Sequence, residues 1–236
     1  MHRSQVRRTR LTKFQAMDAL AVVKNACDFD GYYHGRKWTS TAFSNLAVNI
    51  GPPRAEARDQ QLVRKISPQD SAVAPHNTLS SRYGAGSFPP HTDTAYWRQP
   101  ARYVLFRCVN AGKARRVTRI FYTRDWQLSR ADESLLCRAV WKVKAVRPFL
   151  ASFAQRKDDQ LLFRFDLDCM VPMSNDAQAA LDLFRSCLVA SRQITIDWSE
   201  GDVLVIDNWR CIHARGMAIV RDEDRVLERI LVGEKL

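Results

Sequence analysis

No stretch of this sequence approaches the roughly 18 uninterrupted apolar residues that a membrane span requires. No Cys-x-x-Cys pair occurs either. The six cysteines (Cys27, Cys108, Cys137, Cys169, Cys187, Cys211) are widely spread, which excludes zinc ribbons and thioredoxin chemistry. The N-terminal "MHRSQVRRTRLTKFQAMDALAVV" lacks a continuous apolar core and a small-residue cleavage site, so it does not read as a secretory signal. Without an export signal, the cysteines are expected to be reduced thiols of a cytoplasmic protein, with Cys108 and Cys211 buried in apolar strands. Acids are absent before Asp18, as in organelle transit peptides, but a solvated basic arm over residues 1–11 explains this more simply. Internal repeats, low-complexity segments, helix-turn-helix spacing and basic patches interleaved with aromatics are all missing. The net charge of +12 therefore favours anionic partners in general and gives no specific case for nucleic acid.

The composition is that of an ordinary globular protein, 46% hydrophobic and 26% charged over 236 residues, and one domain spanning 1–236 is expected. "TKFQAMDALAVVKNA" (12–26) has helical spacing. The Pro-, Gly- and Ser-rich run from "NIGPPRAEA" to "FPPHTD" reads as loops with short strands, and a connection that long suggests cover for a site. Strands are expected at 102–110 and 115–123, a helix at 132–143 capped by Asp132, and a strand at 160–170. A helix at 175–191 starts at Ser174 or Asn175 with Ala180, Leu181, Phe184 and Leu188 on one face. The closing region reads as four strands, in "QITIDW", "DVLVIDN", "RCIHAR" and "DRVLERILVGEKL". Many short strands with turn signals point to a sandwich or barrel with helices attached.

Within "PPHTDT" (89–94), His91 is the one histidine followed two places later by an acid. With five histidines and 25 acids among 236 residues, chance supplies about half such an instance, so the match alone decides nothing. On a strand, His91 and Asp93 would share a face and Thr92 would point away. The C-terminal "GDVLVIDNWRCIHARGMAIVRDEDRVLERILV" adds His213, Arg225 and Arg229.

Together these residues resemble the iron(II)- and 2-oxoglutarate-dependent dioxygenases of the taurine dioxygenase and clavaminate synthase type, over roughly residues 70–236. The resemblance implies a mainly β fold with flanking helices, a double-stranded β-helix or jelly roll. It implies that His91, Asp93 and His213 bind iron(II), and two imidazoles with one carboxylate leave positions for a 2-oxo acid and dioxygen. Their separation in sequence suits ligands brought from opposed strands. Arg225, twelve residues past His213, then holds the far carboxylate of 2-oxoglutarate through its planar fork. Thr118 adds a hydroxyl to the same carboxylate, although "GKARRVT" departs from the glycine-rich stretch usual there. Arg229, four further on and on the same strand face, lies toward the substrate. The implied reaction decarboxylates 2-oxoglutarate to succinate and hydroxylates or desaturates an unactivated C–H bond of a small polar, anionic or amino-acid-like metabolite. Asp93 favours those outcomes over halogenation, for which relatives carry a small residue there.

Plainer readings exist for each residue. His91 and Asp93 could be a hydrogen-bonded pair at a strand end, His34 and His76 core residues, and Arg225 and Arg229 partners of Asp222, Asp224 or Glu228. Glu228 has the opposite strand parity and cannot serve both arginines. Arg164 could reach a substrate cavity or solvate an edge. Trp97, Trp209, Tyr83 and Tyr96 could line a cavity or simply pack, and Asp207-Asn208 reads as a turn. Two alternatives to an oxygenase remain: a non-catalytic jelly-roll binding protein, and a nucleic-acid-associated protein using its basic surface. Nothing in the sequence sets the oligomeric state.

Overall fold

A computed structural model describes residues 13–56, 60–76, 78–218 and 224–234; the expected basic arm and Asp222 lie outside them. Two antiparallel sheets carry the fold. The larger contains β1 (Tyr32–Gly35), β2 (Pro53–Arg54), β3 (Arg64–Ile66), β5 (Tyr103–Asn110), β13 (Val203–Asp207) and β15 (Val226–Val232), in the order β1-β13-β5-β15-β2 with β3 also on β15. The smaller contains β4 (Phe88–His91), β6 (Thr118–Tyr122), β12 (Gln193–Ile196) and β14 (Cys211–Arg215), in the order β12-β6-β14-β4.

Strand alternation sorts the side chains into layers. Phe106, Cys108, Leu204, Ile206 and Leu227 of the larger sheet meet Ile120, Ile196 and Cys211 of the smaller one. The alternate residues Leu105, Val203, Val205, Ile230 and Val232 lie beneath two helices, α1 (Lys13–Asp30) and α2 (Ser40–Ile50). β13 is thus covered on both faces, which is why "VLVI" is an unbroken apolar run. The expected helix at 12–26 is present and extends to Asp30.

The outer face of the smaller sheet, through Ile212 and Phe121, packs on a second core. That core is built by α4 (Arg130–Arg138), α5 (Asn175–Ala190) and five strands: β7 (Trp141–Val143), β8 (Phe149–Ala151), β9 (Ala154–Lys157), β10 (Gln160–Phe163) and β11 (Met170–Pro172). β7 pairs with β8 and β11, and β9 with β10. Two ring stacks centre it, Trp141 on Phe153 at 4.0 Å and Phe165 on Phe184 at 3.9 Å. Phe184 is fully buried, so Phe184→Ala is expected to cost about 3–5 kcal/mol, read as a lower urea midpoint.

Several assignments differ from the sequence reading, among them the strand expected at 115–123, which spans only Thr118–Tyr122. The helix expected at 132–143 begins with Ser129 as its cap, with Asp132 the third residue of a reciprocal capping box. It stops at Arg138 because Trp141 and Val143 alternate inward as a strand. The single strand expected at 160–170 is two, β10 and β11, separated by a turn that ties Met170 N–H to Asp166 O. The stretch after Gly35 contains α2, capped by Thr39, where the sequence reading assigned no element. A short helix, α3 (Leu79–Tyr83), precedes β4.

Candidate metal centre

β4 runs beside β14, and the register places His91 directly across from His213. Their rings stand 4.5 Å apart, centroid to centroid. The two histidines therefore come from neighbouring strands of one sheet, not from opposed strands as their sequence separation suggested. β4 ends at His91, so the strand geometry expected to carry Asp93 gives way to a turn. That turn still brings Asp93 back: its Oδ1 is 3.3 Å from His91 Nε2 and 3.8 Å from His213 Nε2. All three side chains are buried, and a donor atom from each lies within 4.8 Å of the others.

Donors held about 2.1 Å from one ion at right angles stand about 3 Å apart, so a small contraction gathers this set. His91 Nδ1 lies 2.9 Å from Pro89 O, which can only accept. Nδ1 therefore carries a proton, and in the metal-free chain Nε2–H faces Asp93, at the position a metal ion would take. His213 Nδ1 is buried with no hydrogen-bond partner among the described residues. Burial works to raise the Asp93 carboxyl, but the hydrogen bonds from His213 and His91 outweigh it and hold it well below its ordinary range. Burial and the neighbouring His91 keep the His213 imidazole down, toward the neutral form a ligand needs. For His91 burial is opposed by Asp93, which lifts it.

Asp93 has no ladder partner, and other segments fix its turn. Asn208, fully buried in the β13–β14 turn, accepts from Asp93 N–H at 2.9 Å and donates to Asp93 O at 2.9 Å and Ala101 O at 2.8 Å. Thr92 N–H donates to Phe165 O, and Phe165 N–H to the Thr92 hydroxyl. Arg164 donates to the carbonyls of Ala95, Trp97 and Arg98 at 2.6 to 2.7 Å, and burial pushes its guanidinium down to about 10. It pins the turn after the acid.

Arg225 precedes β15 and is buried beside Trp198, with its Cζ 6.0 Å from the ring centre. The indole N–H of Trp198 donates to the Thr118 hydroxyl at 3.1 Å, so Thr118 and Arg225 meet through one tryptophan. Arg229 donates from Nη1 to Asp93 Oδ2 at 3.0 Å and from Nη2 to Glu56, whose other oxygen receives Arg64 at 2.5 Å. Burial holds the Arg229 guanidinium down at about 10, and its Nε has no hydrogen-bond partner among the described residues. Glu228 turns to the opposite face and pairs with Arg107 at 2.8 Å, as its parity required.

Sequence reasoning missed several contributors. Glu56 was hidden in a segment read as loop. Asp166, half-buried, lies close enough to His91 for their charges to interact, and its burial raises its carboxyl. Asp168 receives Arg82 at 2.6 Å and the Tyr83 hydroxyl at 3.2 Å. Arg215, which the sequence alone left open between a residue behind the site and a surface one, stacks on Phe88 and donates to the carbonyls of Gly84 and Gly86, fastening the approach to β4. Of the aromatics weighed as cavity walls, Trp97 lies under Arg54 and Trp209 N–H donates to Pro100 O, whereas Tyr83 packs on Phe88, the neighbour of the His91 ring. His34 lies 3.5 Å from Asp202. Among the described residues, no helix is long and apolar enough to cross a membrane.

Residues 114–231 match the family model described as taurine catabolism dioxygenase TauD, TfdA family. Comparison with curated proteins gives no significant match. Among solved structures, asparagine oxygenase in complex with Fe(II), 2S,3S-3-hydroxyasparagine and succinate superposes with a TM-score of 0.75 at 18% identity, covering 93% of this chain and 79% of that one. The non-heme iron oxygenase OrfP in complex with Fe and alpha-ketoglutaric acid gives 0.76 at 21% identity, covering 93% and 80%. OrfP with Fe and L-homoarginine gives 0.72 at 19%, again covering 93% and 80%. These structures share the jelly-roll fold expected from the sequence.

Proposed function

We propose that this chain, which belongs to the taurine catabolism dioxygenase TauD, TfdA family, couples decarboxylation of 2-oxoglutarate to hydroxylation of an unactivated C–H bond in a small amino-acid-like substrate. The observation that carries the reading is the meeting of His91, Asp93 and His213 around one point, with Thr118 and Arg225 joined through Trp198 nearby. The buried two-imidazole, one-carboxylate set fits iron(II) with open positions, and His91 Nε2, His213 Nε2 and Asp93 Oδ1 hold it. Iron(II) with 2-oxoglutarate and dioxygen supplies the oxidising power, and succinate and carbon dioxide are the co-products.

The chain's own part is placement. Arg225 and the Thr118 hydroxyl hold the far carboxylate of 2-oxoglutarate in a buried pocket, where a charge-assisted fork is strong. Arg229 keeps Oδ2 of Asp93, leaving Oδ1 to the histidine side, and its buried Nε–H is the donor offered to an anionic group of the substrate. Asp166, on the His91 side, suits an ammonium. Opposite charges flanking one small site favour a zwitterion, and the neighbouring asparagine and arginine-type oxygenases are consistent with that class.

The test is aerobic incubation with iron(II), 2-oxoglutarate and a panel of amino acids. Succinate and a product heavier by one oxygen atom should form together with at least one of them; succinate without any oxygenated amino acid throughout would reject the substrate class. Thr118→Val keeps the shape and removes the hydroxyl. It should raise KM for 2-oxoglutarate roughly threefold to tenfold with kcat nearly unchanged, the scale of one hydrogen bond.

A further inference from the structure

We propose that Asn208, which touches no donor atom of the site, is the positioning residue that aims the Asp93 carboxylate. The proposal rests on the metal-binding reading given above. The two histidines sit on paired strands, so the sheet fixes their direction. Asp93 lies two residues past His91, beyond the end of β4, and the next residue, Thr94, has φ +58°, a backbone state that non-glycine residues adopt only when held there. What replaces the ladder is the Asn208 amide. It takes the N–H and the C=O of Asp93 at once, as a paired strand would, and spends its second N–H on Ala101 O across the same turn.

Both donors and the acceptor of this fully buried amide are therefore engaged, and two of the three bonds go to the backbone of the one acid in the site. Fixing that backbone fixes the direction in which Cβ leaves it, and with it the reach of Oδ1 toward the histidine side. The same β13–β14 turn holds a second contact to the loop through Trp209 N–H and Pro100 O at 3.1 Å. That bond anchors the turn without touching Asp93, which provides an internal control.

Groups that orient a ligand from behind change metal affinity about tenfold to a hundredfold when removed. The experiment titrates the metal-free full chain with cobalt(II) alone and reads the dissociation constant by calorimetry, together with the gain in Tm at fixed cobalt(II). Asn208→Ala should weaken binding about tenfold to a hundredfold and shrink the Tm gain, whereas Trp209→Phe should lower Tm with and without metal alike and leave the constant within about twofold. A merely structural role would not separate the two variants. If Asn208→Ala does not fold, Asn208→Ser is measured by the same criterion. Wild-type binding with Asn208→Ala unchanged, or with both variants weakened equally, overturns the inference and leaves the metal reading intact. Failure of the wild-type chain to bind cobalt(II) overturns both.

Discussion

His213→Ala is expected to abolish succinate formation and to weaken iron(II) or cobalt(II) binding by more than about a hundredfold. On the proposed reading three protein donors hold the ion, and two of them would remain, His91 Nε2 and Asp93 Oδ1. Losing a ligand removes a bond worth far more than a typical side-chain contact, since metal binding free energies reach about 10 kcal/mol and beyond. The fold should survive. His213 packs beside His91 and Phe106 with a ring nitrogen already unpartnered, so the metal-free protein gives up packing but no hydrogen bond from that atom. A cooperative melt with no metal-induced rise in Tm is the expected signature, and added imidazole should restore part of the binding by filling the space left. Undiminished metal binding in His213→Ala would remove this residue from the site.

The second large effect is expected at Arg225. Arg225→Ala should lower kcat/KM for 2-oxoglutarate by about a hundredfold or more, because truncating one partner of a buried charged pair costs about 2–5 kcal/mol. The residue is buried beside Trp198, and the Trp198 indole is already committed to Thr118. Lysine restores charge without the fork, and Arg225→Lys should recover only part of the loss. Cobalt(II) binding in the absence of 2-oxoglutarate should stay at the wild-type value. That separates a cosubstrate role from damage to the metal centre; loss of both together would contradict the assignment.

Most of the architecture was legible because it rests on short-range patterns. The unbroken "VLVI" marked a strand covered on both sides, and the ladder of Ala180, Leu181 and Phe184 marked a helix face. α2 went unread, although Phe43, Leu46, Ala47 and Ile50 have helical spacing behind a Thr39 cap. The metal-centre candidates could be named because the short stretches holding His-x-Asp, His213 and the trailing arginines carry the family resemblance. How they meet could not, since strand pairing between residues 91 and 213 leaves no mark in either segment. The same holds for Glu56 and Asn208. An acid in a loop and an asparagine in a turn look alike wherever they occur, and only the folded chain shows one held on Arg229 and the other on the backbone of Asp93. Arg229 illustrates the converse, a residue named through the family resemblance whose partners, Asp93 and Glu56, the resemblance did not supply.

The most direct measurement is an anaerobic titration of the metal-free protein with iron(II) in the presence of 2-oxoglutarate, followed by visible absorption. A charge-transfer band that saturates at one iron per chain is expected in the wild type and should be absent in Asp93→Ala. No band in the wild type, or the same band with the same stoichiometry in Asp93→Ala, would contradict the metal-binding reading.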